Sequence, residues 1–231
     1  MNEMIKKLSI AADLVRGVGL NKFVREILPW HFSRKYVFYS MGLNPKMESV
    51  PLPESTEKRQ APPDFRLELA GLSDLPHILT ARPHYYTEEQ LKMRFQAGHM
   101  CFIGWIKNEP VHLRWHYVHS IYLPYLKRNL MLSERQVWAD EGYTRPEYRR
   151  RGIFAHAGIL ITRVLADMNY QRLSCAFASW NKTPLRIDRE RGMKPVGEIL
   201  YRNYLVHHTY RYSGSVKELE GNSIEIEENP L

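Results

Sequence analysis

Three arginines and a glycine stand together at Arg149-Arg150-Arg151-Gly152, directly before the apolar pair Ile153-Phe154. Gln136 to Thr144 reads as a strand, and Ile153 to Met168 carries Ile153, Ala157, Leu160, Val164 and Met168 at helical spacing. The basic run therefore falls on a strand-to-helix turn. N–H groups in the first turn of a helix have no intrahelical partner and lie at the positive end of its macrodipole. Glycine lets a phosphate approach that backbone, and arginines add charge-assisted donors. These residues alone fit two readings, a pyrophosphate cradle and a solvated basic turn. On the strand that leads into the turn, Asp140 and Glu141 are adjacent acids, which the two-residue period of a strand sends to opposite faces.

Other reactive side chains point to chemistry less well. His112, His116 and His119 resemble a ligand set, but VHLRWHYVHS favours a strand, where residues four apart lie roughly 13 Å from one another. No metal site is expected from them, and His119 should face the other way. Cys175 lies in an apolar strand and reads as a small core residue. Trp105, Trp115, Trp138 and Trp180 could floor an acceptor pocket, but most buried tryptophans simply pack.

The elements that must position these groups follow from spacing and caps. Residues 1–44 read as a helical N-terminal extension, with helices over Met4–Val15 and Lys22–Leu28 and a strand-like stretch, Lys35–Met41, after them. Five prolines among polar residues mark 45–63 as a linker. A regular domain spans 64–212. Its expected order is a strand at Phe65–Leu69, a helix to Ala81, a helix capped by Thr87 with Gln90, and a hairpin of Cys101–Ile106 with Val111–Tyr122. A variable stretch to Leu132 follows, then the strand at 136–144 and the helix at 153–168. A strand at Leu173–Ser179, a helix at Lys182–Arg191 stopped by Gly192, and a strand from Pro195 complete it. Residues 213–231 read as a mobile acidic tail.

A chain of 231 residues can bury one good core with an appendage, and is short for two full domains. The formal charge is +8 and uneven: residues 1–50 carry a net +4, and residues 214–231 a net −4. Such a field draws phosphates, whether on a cofactor, a nucleic acid or a membrane. Two distant cysteines outside any CxxC pair argue for a reducing compartment, and a cytoplasmic protein is expected. Glu3, Asp13 and Arg16 interrupt the first apolar run, which reads as an amphipathic segment offering peripheral membrane contact or self-association.

Asn181 can cap a helix with Pro184 in its first turn and Gly192 as its stop. With that segment in place, Phe65 to Leu205 resembles the GNAT acyltransferase superfamily. Its loop motif, Gln/Arg-x-x-Gly-x-Gly/Ala, is matched by Arg149, Gly152 and the position of Phe154, and its later Asn, helix and Gly-Phe pattern by Asn181, Gly192 and Met193. The resemblance implies an α/β (α+β) fold with a mixed, mostly antiparallel sheet flanked by helices. It implies acetyl-CoA or another acyl-CoA as co-substrate and no metal. The pyrophosphate would lie on Arg149, Arg150, Arg151, Gly152, Ile153 and Phe154, the pantetheine arm along Tyr143 and Thr144, and the thioester near Asn181. Strands 136–144 and 173–179 should splay to admit it.

Two departures from the family pattern matter. Phe154 replaces a small residue, so its ring must turn away from the phosphates. Asp188 stands where many relatives have a tyrosine that protonates the leaving thiolate, and an ionised Asp has no proton to give. Tyr143, Tyr201 or water would then serve. An acceptor arriving as an ammonium needs a base, and Asp140 matches the usual position, although a β-bulge would exchange it with Glu141. The expected function is N-acyl transfer, acetyl foremost, to a primary amine on a small molecule such as an amino sugar for polysaccharide synthesis. A non-catalytic acyl-CoA sensor or partner-binding module is the alternative. Nucleic-acid binding is not expected, because the arginine cluster is short and the cofactor already accounts for it.

Overall fold

The computed structural model describes residues 33–44, 61–204 and 207–227. The helices expected over Met4–Val15 and Lys22–Leu28 lie outside the described residues. Twelve strands and four α-helices are described: β1 (Ser33–Gly42), β2 (Phe65–Leu69), α1 (Leu75–Ala81), α2 (Glu88–Gln96), β3 (Met100–Ile106), β4 (Glu109–Tyr117), β5 (Ser120–Leu123), β6 (Arg128–Met131), β7 (Gln136–Thr144), α3 (Ile153–Asp167), β8 (Arg172–Ala178), α4 (Lys182–Glu190), β9 (Lys194–Tyr204), β10 (His207–Gly214), β11 (Val216–Leu219) and β12 (Ser223–Ile226).

Eight strands form one mixed sheet in the order β10-β9-β1-β8-β7-β4-β3-β2, antiparallel at every pairing except β7 with β8. Alternation along the strands builds a core on each face. Phe38, Leu113, Trp115 and Trp138 pack with Ile78 of α1 and Leu91 of α2 on one face. Val37, Tyr39, Val137 and Cys175 pack with Ile161 and Leu165 of α3 on the other. The α2 start is the expected capping box: Gln90 N–H donates to Thr87 Oγ1 at 3.2 Å, and Thr87 N–H to Gln90 Oε1 at 3.0 Å. Such a cap is worth about 1 kcal/mol.

Two expectations about domain limits are corrected. Residues 33–42 are not outside the domain. As β1 they lie between β8 and β9, with Tyr36 through Met41 all buried, as a strand with both faces covered requires. The proline-rich segment suggested a boundary, and the pairing that overrides it is long-range, which local periodicity does not report. Nor is the acidic end a free tail over its described part. Ile224 and Ile226, 0% and 4% exposed, alternate with Glu225 and Glu227, so the isoleucines enter the core while the acids face outward. With the stretch before Leu132, this segment forms a second sheet, β11-β12-β6-β5, in which β12 runs parallel to β6. The hairpin strand β4 also stops at Tyr117, and its continuation belongs to that second sheet.

Because β1 is internal, a chain starting at Ala61 should be insoluble or molten. In the full chain, Phe38→Ala should lower stability by about 3–5 kcal/mol, as for other buried Phe truncations. Urea melts followed by near-UV circular dichroism check both. A soluble, cooperatively folding chain from Ala61 would show β1 to be dispensable.

Candidate active site

β7 and β8 pair through only three residues, Gln136↔Arg172, Val137↔Leu173 and Trp138↔Ser174. Beyond Trp138 they part, as expected, and the gap is a cleft of about 360 Å³. Asp140, Glu141, Gly142 and Phe154 line one side, Cys175 to Ala178 with Asn181 the other, and Tyr36, Tyr125 and Arg114 the remainder. A second cavity of about 630 Å³ lies beside it, walled by Tyr85, Met93 and Arg94 near α2 and by Tyr117, Ile121, Tyr122 and Tyr125. The two share three residues: Tyr125, Asp140 and Glu141.

The parting is shaped by a β-bulge. Trp115 pairs with Asp140 and Leu113 with Tyr143, so the single Arg114 opposes both Glu141 and Gly142. Glu141 takes a left-handed φ of 47°, an uncommon state for a residue with a side chain. Simple alternation sends Asp140 and Glu141 to opposite faces; the bulge brings both to the same two cavities. Gly142 is needed there, because a Cβ on it would lie 2.8 Å from Phe154 Cε2. The Phe154 ring sits against this bulge, 4.9 Å from the Arg114 guanidinium and 6.0 Å from the His112 ring. It is thereby turned toward the sheet and forms part of the cleft's lining.

The two carboxylates have opposite electrostatics. Glu141 accepts two hydrogen bonds from Arg94, at 2.9 and 3.0 Å, one from Tyr86 at 2.8 Å and one from Tyr117 at 3.0 Å. Burial by itself pushes its pKa up, but the bidentate Arg94 and the two phenols outweigh it, and the net shift is downward. Asp140 is pushed up to about 6, first by burial, with the neighbouring Glu141 charge adding to it. The Glu141 N–H, donating to Asp140 Oδ1 at 2.7 Å, limits the rise.

After the basic turn, α3 begins with Gly152 as N-cap at φ 74°, and the first helical acceptor bond is His156 N–H to Gly152 O. The N–H groups of Ile153, Phe154 and Ala155 precede that bond and are the start-of-helix donors. Arg149, Arg150 and Arg151 are exposed around the turn. Arg149 donates through Nε to Thr144 O at 2.9 Å and lies 5.8 Å from the Tyr143 ring. Arg82 covers Tyr143 as well, at 4.8 Å, and Thr144 Oγ1 is 2.8 Å from His112 Nδ1. The Asn181 side chain makes no capping bond to α4 and borders the cleft.

The structure thus gathers Asp140, Glu141, Phe154 and Asn181 on the cleft; Tyr143 and Thr144 end β7, Arg149, Arg150 and Arg151 lie on the turn that follows, and Gly152 and Ile153 open α3, none of these seven among the cleft's lining. Tyr143 and Tyr201 do not border the cleft among its described lining, and Tyr201 is bonded instead to His208 Nδ1 at 3.0 Å. Asp188 is fully buried and ion-paired to Arg191 and Arg114. His112 and His116 are buried on β4, whereas His119 sits on the exposed turn after it rather than on the strand. The residues the sequence left unassigned are Tyr36, Tyr125, Arg94 and Arg114. Of these, Arg114 carried a signal, being a charged residue at an inward position of an apolar strand.

No protein-family model and no curated protein matches the chain. Among solved structures it is similar to a GCN5-related N-acetyltransferase from Sphaerobacter thermophilus, at a TM-score of 0.47 and 16% identity over 84% of this chain and 55% of that one. The chain therefore spans about half the length of that neighbour. It is also similar to an aminoglycoside acetyltransferase from an uncultured soil metagenomic sample, in complex with trehalose, with a TM-score of 0.44 and 14% identity over 64% of this chain and 96% of the other. A third is AAC(6')-Iy with a bisubstrate analogue, with a TM-score of 0.45 and 11% identity over 64% and 98% of the two chains. Several of the structural neighbours are named as GCN5-related or GNAT-family acetyltransferases.

The raised Asp140 pKa has a consequence for stability. The folded state holds this proton more tightly than the unfolded chain, whose value is the ordinary 3.8. The contribution is full below about pH 4 and is lost as the pH climbs through 6. Asp140→Asn removes the charged form, so at pH 8 the variant should be more stable than wild type by on the order of 3 kcal/mol, at about 1.4 kcal/mol per unit. The difference should vanish near pH 4. Melting temperatures across pH 4–8 decide it, and a constant difference would mean an ordinary carboxyl.

Proposed function

We propose that this protein is an acyl-CoA-dependent N-acyltransferase whose acceptor is the primary amine of a small molecule, with an amino sugar the acceptor we favour. One observation carries the reading: the cleft and the larger cavity meet at Asp140, a carboxylate with a pKa of about 6. A group titrating near neutrality is suited to taking a proton from an ammonium. The tyrosine-rich cavity suits a sugar, offering ring faces for its C–H surface and hydroxyls for its polar edge.

The residues present fit a coenzyme A. The start of α3 and its arginines would hold the pyrophosphate, and the edges of β7 and β8, unpaired to each other past Trp138 and Ser174, offer backbone groups to an extended arm. Bound there, an acyl-CoA supplies the activated thioester. Asp140 takes one proton as the ammonium becomes a nucleophilic amine. The amine nitrogen then forms the N–C bond while the C–S bond breaks, and its second surplus proton ends on the sulfur. Tyr36 and Tyr125 border the cleft, and burial raises the pKa of both, so each keeps its O–H and is a candidate relay that gives its own proton to the sulfur and takes the one the nitrogen loses. Glu141 keeps its charge and holds the bulge. The sensor alternative drew its force from Asp188, whose burial with two arginines gives that residue a structural role instead.

Coenzyme A should raise the melting temperature of the wild type by mass action, by about 2.7 kcal/mol of stability at a hundredfold excess over Kd, and much less for Gly152→Asp. Equal shifts in the two would remove the cradle. With an amine that turns over, Asp140→Asn should lower kcat by about a hundredfold or more while leaving coenzyme A affinity unchanged. A wild-type rate in that variant would exclude Asp140 as the base, and binding without turnover across a broad amine panel would favour the sensor.

A further inference from the structure

The cavity of about 630 Å³ is charged where it shares residues with the cleft and apolar on the part of its lining that is open to solvent. Among the described residues eight large hydrophobic side chains are exposed. Three of them, Tyr85 at 50%, Met93 at 61% and Tyr122 at 55%, line this one cavity. They belong to three segments: the residues before α2, α2 itself and β5. A lone exposed apolar residue needs no account, but three that converge from separate segments on one opening make a binding surface. Tyr85 is already ordered, with the Arg82 guanidinium 3.2 Å from its ring centroid and the Tyr86 ring edge-on at 4.7 Å. Little side-chain freedom is left to lose when a ligand packs on it.

The charges of the cavity nearly cancel. Arg94, Asp140 and Glu141 are the charged side chains of its lining, while His99 is pushed down by burial and then by Arg94, so it is neutral. Arg94 and Glu141 answer one another through two bonds, at 3.0 and 2.9 Å. Asp140 is the one charge of this lining left without a partner of opposite sign. A polyamine would bring several ammoniums to that single carboxylate, and the others would lose water against Tyr85, Met93 and Tyr122 with no anion in return. A long acyl chain on the donor would reach these three side chains only by crossing the polar junction at Asp140 and Glu141. An acceptor entering from solvent with its amine leading meets the two parts in the right order.

We propose that the acceptor carries a single amine and an apolar substituent: a glycoside of an amino sugar whose amine meets Asp140 and whose apolar aglycone packs on Tyr85, Met93 and Tyr122. This rests on the N-acyltransferase reading above and narrows its acceptor.

The test measures Kd by calorimetry on the full chain for the methyl and hexyl glycosides of 2-amino-2-deoxyglucose and 2-amino-2-deoxygalactose, for their N-acetylated forms, and for spermidine. Wild type should bind a hexyl glycoside at least about tenfold tighter than its methyl counterpart, because the added methylenes leave water. N-acetylation should cost at least about tenfold, and spermidine should bind more weakly than the hexyl amine. In Met93→Ser/Tyr122→Ser, two exposed positions whose change spares the core, the hexyl-to-methyl ratio should fall toward one. Equal binding of hexyl and methyl glycosides of both sugars by wild type overturns the proposal whatever the variant does. So does spermidine binding tighter than every glycoside, or a wild-type dimer that the double variant dissociates while neither shows an aglycone preference, which would give these side chains to a second copy of the chain. If coenzyme A fails to bind wild type, the acyltransferase reading falls, and the glycoside preference is still read separately from it.

Discussion

The parting of β7 from β8 after Trp138 and Ser174 is the constraint on which the rest of the site depends. Two neighbouring parallel strands gain by pairing along their length, so something must hold them apart. On the β7 side it is the bulge opposite Arg114, with Glu141 in a left-handed conformation that a side chain disfavours. Four hydrogen bonds from Arg94, Tyr86 and Tyr117 fix the Glu141 carboxylate and with it that conformation. The same bonds tie α2 and the segment before it to the sheet, so the wall of the larger cavity and the opening of the cleft share one anchor. From the opposite face, Phe154 closes on Gly142 and couples the bulge to the first turn of α3.

That anchor also explains why two adjacent acids differ. Glu141 is surrounded by donors and remains an anion; Asp140 is half-buried, accepts the Glu141 N–H and has a negative neighbour, and partial burial holds its proton to about pH 6. The difference between the two belongs to the surroundings and not to the side chains. Asp188 follows the same logic in reverse. It is buried, and its surroundings are the guanidiniums of Arg191 and Arg114, to which it is ion-paired.

Much of this was legible locally. The limits of β7, the start of α3 and the capping box at Thr87 follow from spacing and cap chemistry, and the structure has them where the residues put them. The candidate acids and the basic turn were legible for the same reason, since each is a short-range pattern. What escaped were pairings between distant segments. Nothing in KYVFYSM says that it joins β8 and β9, and nothing in SIEIE says that its partner is Asn129 to Met131. The bulge escaped too, because one extra residue in a strand leaves the alternation of types on either side intact, and only the register with β4 exposes it.

Those distant pairings are not peripheral to the chemistry. Tyr36 reaches the cleft from β1, and Tyr125 reaches it from the connection between β5 and β6. Their rings stack at 4.5 Å, and Arg34 Nη1 donates to Tyr125 O at 3.2 Å. The second sheet holds that connection down through Leu123, Leu126 and Leu130 against Val216 and Ile224, all buried. One wall of the cleft therefore exists only when the strand before the proline-rich segment and the strands near the acidic end are both in place. Of the two segments that look most like appendages by composition, one supplies Tyr36 and the other packs beneath the connection that carries Tyr125. This site is closed by the two ends of the domain as much as by its middle, and loss of β1 would remove both the Tyr36 ring stacked on Tyr125 and the Arg34 bond to the Tyr125 carbonyl.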